Sequence, residues 1–209
     1  MKLLELTTRI LCDVRPGHTA DAVFLFGQTQ DNQASVFAAA CRLLKERLVE
    51  RVLFVDSVPR SGYPGSAAWK AALSDLGVSS AQMATVDMAV EASLNTLTEA
   101  EGMVHHAMRN GYTDLYVTAA PFHQLRAVMT AVTVALKWYP DIRIYSYPGD
   151  ALPWLDTVIH SQGTTSARRT DLIHGEFERI RKYQMKGDLA DVSAVMDYFT
   201  SRDRIASLI

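Results

Sequence analysis

Five short apolar runs, each followed by a longer stretch with helical spacing, constrain this chain more than any other feature. The runs are 21–27, 51–56, 83–88, 115–117 and 142–147. They are too short for buried helices and carry few charges, as strands do when both faces are covered. Between them, Val36, Ala40, Leu44 and Leu48 recur every fourth residue. A helix around 69–76 stops at Gly77, and another stops at Gly111 after Leu97, Ala100, Val104 and Met108. Phe122, Leu125, Met129, Val132 and Leu136 make a further stripe. Such stripes mark helices that bury one face. Strands alternating with helices predict an α/β fold with a parallel sheet covered on both sides. Right-handed crossovers make it a doubly wound, Rossmann-like sheet of about five strands.

The tail breaks this rhythm. Residues 150–165 read as a loop containing Pro153 and Trp154, followed by two helices, the last packing through Leu189, Val192, Met196 and Phe199. No linker, repeat or shift of composition divides the chain. One domain over 1–209 is therefore expected, with a sheet core at about 21–148 and a helical extension at about 165–205. At 48% hydrophobic and 21% charged residues, the chain has material for one substantial core. A formal net charge of -2 gives no electrostatic case for nucleic acid or an anionic membrane as partner. No apolar run approaches the roughly 20 residues of a membrane span. Residues 1–11 are broken by charges and lack a signal-peptide pattern, so a cytoplasmic location is expected. Cys12 and Cys41 fit neither a disulfide framework nor metal-ligand spacing, and read as small apolar packing residues.

The chemistry concentrates at 115–126, where a charge-free strand runs through Thr118 into a helix opened by Pro121. Proline suits the first helical position, where its missing N–H does no harm. His123 and Arg126, three apart, share a face of that first turn, where free N–H groups and the helix dipole favour an anion. In an open parallel sheet, ligands bind beyond the carboxyl ends of the strands, where strand order reverses. With an order 3-2-1-4-5, that point brings Gly27 and Gln28 opposite Thr118, His123 and Arg126. Loops after the second and third strands add Asp56, Ser57, Arg60, Glu91, Asn95 and Thr96 on the same edge. Thr96 and Glu99 also fit a helix-capping pair, which leaves Asn95 over.

Several familiar chemistries are missing. Gly27 is followed by Gln28, Thr29 and Gln30 rather than the glycines of a dinucleotide loop, although Asp56 stands where a ribose-binding acid would. There is no phosphate-loop lysine motif and no nucleophile elbow. His105 and His106 point to different helix faces, and His18, His160 and His174 show no ligand spacing. Arg168 and Arg169 read as solvent-facing.

The order of these pieces resembles the YdcF-like family of unknown function, which includes SanA- and ElyC-like envelope proteins. The resemblance covers about residues 21–148. It rests on the strand ending at Gly27, on Asn95-Thr96 followed by Glu99-Ala100, and on Val117-Thr118 followed by His123 and Arg126-Ala127. It implies a Rossmann-like fold and, from a proposal for one YdcF-type member, S-adenosylmethionine as ligand. This chain departs from the family pattern. It has no second glycine after Gly27, no arginine near 38–41, Asp56-Ser57 in place of Ser-Gly, and Trp69 where a glutamate often stands.

The leading expectation is a site for an anionic or nucleotide-like small molecule, with transferase chemistry. Arg126 would pair with the anion, His123 would serve as acid or base, and Asn95 and Thr96 would orient the ligand. Gly27 and Gln28 would let it approach the backbone. A phosphate-ester hydrolase using His123 with Glu91 or Glu99 is a second reading. The third is a regulatory module whose C-terminal helices form a homo-oligomer surface.

Overall fold

The structure, a computed structural model, describes residues 2–88, 93–160 and 164–206. In chain order its elements begin with α1 (Lys2–Leu11), β1 (Ala20–Leu25), α2 (Gln33–Lys45), β2 (Val49–Val55) and α3 (Ser66–Asp75). There follow β3 (Met83–Val86), α4 (Thr96–Asn110), β4 (Asp114–Thr118), α5 (Pro121–Trp138) and β5 (Arg143–Ser146). Last come β6 (Thr157–His160), β7 (Thr165–Arg168), α6 (Arg169–Lys186) and α7 (Val192–Ala206).

The sheet is all parallel, in the order β3-β2-β1-β4-β5. Every residue of β4 and all but Asp21 of β1 are buried, as helices on both faces require. β1 and β4 are in register from Ala22 opposite Leu115 to Leu25 opposite Thr118. The Phe26 N–H then donates to the Thr118 carbonyl at 2.9 Å, so the two strands end level. That shared end is the point where strand order reverses.

α5 is more deeply placed than a single stripe predicts. It packs against α1, α4, α6 and α7, and from Phe122 to Ala135 all its residues except Thr133 are buried. Leu136 lies past this region and is exposed, as is Met108 on α4. Leu48 falls beyond the end of α2. Gly102 lets α4 close onto β3, because a Cβ there would stand 2.8 Å from the Asp87 carbonyl oxygen.

The first and last described helices meet. α1, unanticipated from its charges, buries Leu6 and Ile10 in the same apolar cluster as the sheet and Val195, Tyr198 and Phe199 of α7. Arg202 pairs with Asp13 at 2.6 Å and donates to the Ile144 carbonyl at 2.6 Å, tying α7 to the edge strand β5. The apolar faces of α6 and α7 are thus spent within the chain. Residues 157–160 and 165–168 pair as the antiparallel hairpin β6–β7, where a loop was expected up to 165 and helix from there. Cys12 is exposed rather than packed, and Cys41 is half-buried. No helix among the described residues is long and apolar enough to cross a membrane.

Candidate functional site

The joint between β4 and α5 is locked by a residue that sequence reading passed over. The Ala119 N–H donates to Gln124 Oε1 at 2.6 Å, and Gln124 Nε2 donates to the Val117 carbonyl at 2.8 Å and to Ser146 Oγ at 2.9 Å. Gln124 is fully buried, so these bonds are shielded from water. They fix the first turn of α5, and with it His123 and Arg126.

Beyond the ends of β1 and β4 lies a cavity of about 460 Å³. Its walls come from Gly27–Thr29 after β1, Ser61 and Tyr63 after β2, the first turn of α4, α5, the hairpin, and α6 with Asp188 and Leu189 beyond it. Gly27, Gln28, Asn95, Thr96, Glu99, His123 and Arg126, all expected at the site, line it together. Asp56 and Ser57 do not. Asp56 is exposed and accepts from the Ser66 hydroxyl at 2.6 Å, while Ser57 donates to the Val58 carbonyl at 2.9 Å. The Thr118 side chain is buried in the strand, off the cavity lining. Glu91 falls outside the described residues.

The capping assignment reverses. Asn95 is the N-cap of α4: its Oδ1 accepts from the N–H groups of Leu97 at 2.9 Å and Thr98 at 3.2 Å. The Thr98 hydroxyl closes the capping box on the Asn95 N–H. Asn95, far from being left over, is fully employed. Thr96 and Glu99 are the residues released toward the cavity. An Asn before a Thr-Leu-Thr run offered two capping registers one residue apart, and the extended backbone of Asn95 (φ -154°, ψ 167°) marks the cap.

Arg126 meets an anion, but one from its own chain. Glu176 of α6 accepts from Arg126 Nε at 2.5 Å and Nη2 at 3.4 Å, from Arg179 Nη1 at 2.7 Å, and lies 3.0 Å from His160 Nε2. Arg126 Nη1 donates to Thr96 Oγ1 at 2.8 Å, and that hydroxyl stands 3.3 Å from His123 Nε2. Burial pushes the Glu176 carboxyl upward, but Arg126 and the His160 bond outweigh it and hold it well below the usual range. Burial, then Arg126, holds the His123 imidazole well below its ordinary value, so His123 is neutral near pH 7. It offers hydrogen bonds rather than a strong acid. Its Nδ1 is buried with no partner among the described residues.

Glu99 is the group poised near neutrality. Burial pushes its carboxyl up to about 7, against the opposing pull of the Gly27 N–H and Arg126. Gly27 N–H donates to Glu99 Oε2 at 2.6 Å. A Cβ on Gly27 would stand 3.3 Å from that oxygen, so the glycine leaves room for the carboxylate.

Glu176, Arg179 and His160 escaped the sequence reading. Leu172, Glu176 and Ile180 are spaced by four along α6, and all three are buried. A carboxylate in the middle of an apolar stripe was the available signal. Arg169 was misjudged for a similar reason. It is buried and donates to Asn32 Oδ1 at 3.0 Å, the Pro153 carbonyl at 2.8 Å and the Asp31 carbonyl at 2.7 Å, while Arg168 alone is exposed. The other histidines have separate partners: His105 stacks on Trp138, His106 on Tyr112, and His18 and His174 face Asp114 and Glu178.

No protein-family model matches the chain, and neither a curated protein nor a solved structure matches it significantly.

Proposed function

We propose that this cavity binds an anionic or nucleotide-like small molecule, with transferase chemistry as the reaction class. The carrying observation is a cavity of about 460 Å³ at the strand-order reversal, lined by Thr96, His123 and Arg126 from two helix starts. Its volume lies within the roughly 300–1,000 Å³ of small-molecule sites. Glu176 already occupies two donor positions of Arg126. An anionic ligand group therefore meets a guanidinium cluster, Arg126 with Arg179, instead of a lone arginine. His123 orients the ligand as a neutral imidazole, and Glu99 replaces it as the proton-exchanging group. S-adenosylmethionine belongs among the candidates on the motif resemblance to the YdcF-like family, and membership of that family is part of the same proposal. So are a cytoplasmic setting and action without nucleic acid or membrane partners.

Calorimetric titration with adenine nucleotides, sugar phosphates and S-adenosylmethionine tests the reading. His123→Ala and Arg126→Lys are expected to weaken any ligand found by about tenfold or more, equivalent to about 1.4 kcal/mol. Arg126→Lys keeps the charge beside Glu176 but loses the fork geometry. Unchanged affinity in both variants would show that the ligand sits elsewhere.

A further inference from the structure

Buried charges in a folded protein are paired, because desolvating one alone is strongly unfavourable. Among the described residues, the buried Asp, Glu and Arg are Glu99, Asp114, Arg126, Arg169, Glu176 and Arg202, and the Asp13 side chain is buried with them. Ion pairs join Arg126 to Glu176, Asp114 to Arg143, Arg169 to Asp156 and Arg202 to Asp13. Glu99 has none.

Its carboxyl rests on the Gly27 N–H through Oε2, and no donor among the described residues bonds Oε1. Yet Glu99 lines the cavity. The nearest guanidinium, that of Arg126, directs its donors to Glu176 and Thr96. This carboxyl, 5% exposed and facing an open cavity, is thus bonded through one oxygen only and forms no ion pair among the described residues.

We propose that Glu99 is the subsite for a positively charged group on the ligand, an ammonium or sulfonium, which makes the cavity selective for zwitterionic over purely anionic molecules. The inference rests on the cavity reading above and deepens it. One pole of the cavity is Glu99; the other is the Arg126–Arg179 cluster around Glu176. A ligand carrying both charges spans them.

Proton linkage follows from the geometry. A cation on Oε1 favours the ionised carboxylate, so its binding expels the proton that Glu99 holds below about pH 7. Tyr63, from the loop after β2, is pushed far upward by burial and by Glu99 itself. On α5, His123 is held well below its usual range, while Glu176 on α6 is held low; the Arg126 guanidinium donates to Glu176 and Thr96. Asp56 beyond β2 and His160 on the hairpin face Tyr63 and His123 respectively rather than bonding Glu99.

The test compares two ligands built on one nucleoside: S-adenosylmethionine, which carries cationic groups, and adenosine monophosphate, which carries none at neutral pH. Titration calorimetry at pH 6 in buffers of different ionisation enthalpy reads the proton count directly. S-adenosylmethionine is expected to release close to one proton, with affinity climbing several-fold from pH 5.5 to 6.5, toward the limit of about tenfold per pH unit. Glu99→Gln keeps the shape and still accepts from Gly27. It is expected to abolish the proton release and weaken S-adenosylmethionine at least about tenfold while leaving adenosine monophosphate no weaker. Binding of S-adenosylmethionine without proton release, or equal loss of both ligands in Glu99→Gln, overturns the assignment. If adenosine monophosphate alone binds, the cavity reading stands and the cationic subsite falls. If neither binds, both fall.

Discussion

Glu99 and Glu176 are both buried carboxylates on helices facing one cavity, yet they pull stability in opposite directions with pH. Glu176 is held low, so its contribution is present above the unfolded carboxylate range and is lost as pH falls through its folded value. Burial raises the Glu99 carboxyl to about 7 from its ordinary value of 4.5. Its favourable state is the protonated one, and the native chain loses stability as pH rises from about 4.5 to 7. Glu99→Gln is therefore expected to stabilise the protein at pH 8, by up to about 3 kcal/mol at roughly 1.4 kcal/mol per unit, and to change little near pH 4.5. Urea unfolding midpoints at the two pH values measure this. Glu176→Ala should cost about 3–5 kcal/mol at pH 7, because it strands a buried guanidinium. The paired change Arg126→Met with Glu176→Leu should recover most of that loss, since neither charge then lies buried alone.

At the scale of elements, the start of α4 separates structural from ligand-facing roles on adjacent residues. Asn95→Ala removes the cap and is expected to lower stability by about 1 kcal/mol, as denaturation would show. The sheet was legible from sequence because its strands are buried on both faces and its helices are striped, both of which are local patterns. The β4–α5 start, with Pro121, His123 and Arg126, was legible for the same reason. What lay hidden depends on pairing across long stretches of chain. Thr29 Oγ1 donates to the Ile159 carbonyl across 130 positions, and nothing near Ile159 signals a strand docked on that loop. α1 was equally opaque, since its two buried residues, Leu6 and Ile10, give too short a stripe to recognise. Arg169→Ala would release the hairpin from Asn32, Asp31 and Pro153. Hydrogen exchange should accelerate across 156–168 while the sheet stays protected.

For the whole molecule, one apolar cluster runs from α1 through the sheet to α7, so the C-terminal helices cannot melt as a separate unit. Unfolding followed by far-ultraviolet dichroism and by tryptophan fluorescence, with Trp69 in the core and Trp154 beside the hairpin, should give coincident single transitions. Two resolved steps would show that the extension is independently stable. The pairing of Arg126 with Glu176 also has a consequence in time. The two residues are 50 positions apart, and synthesis at about 5–20 residues per second separates their appearance by roughly 3–10 s. For that interval the nascent sheet carries a guanidinium destined for burial whose partner has not yet been made. The Arg126–Glu176 pair therefore cannot close until α6 has been made, and the cavity it braces is complete only then.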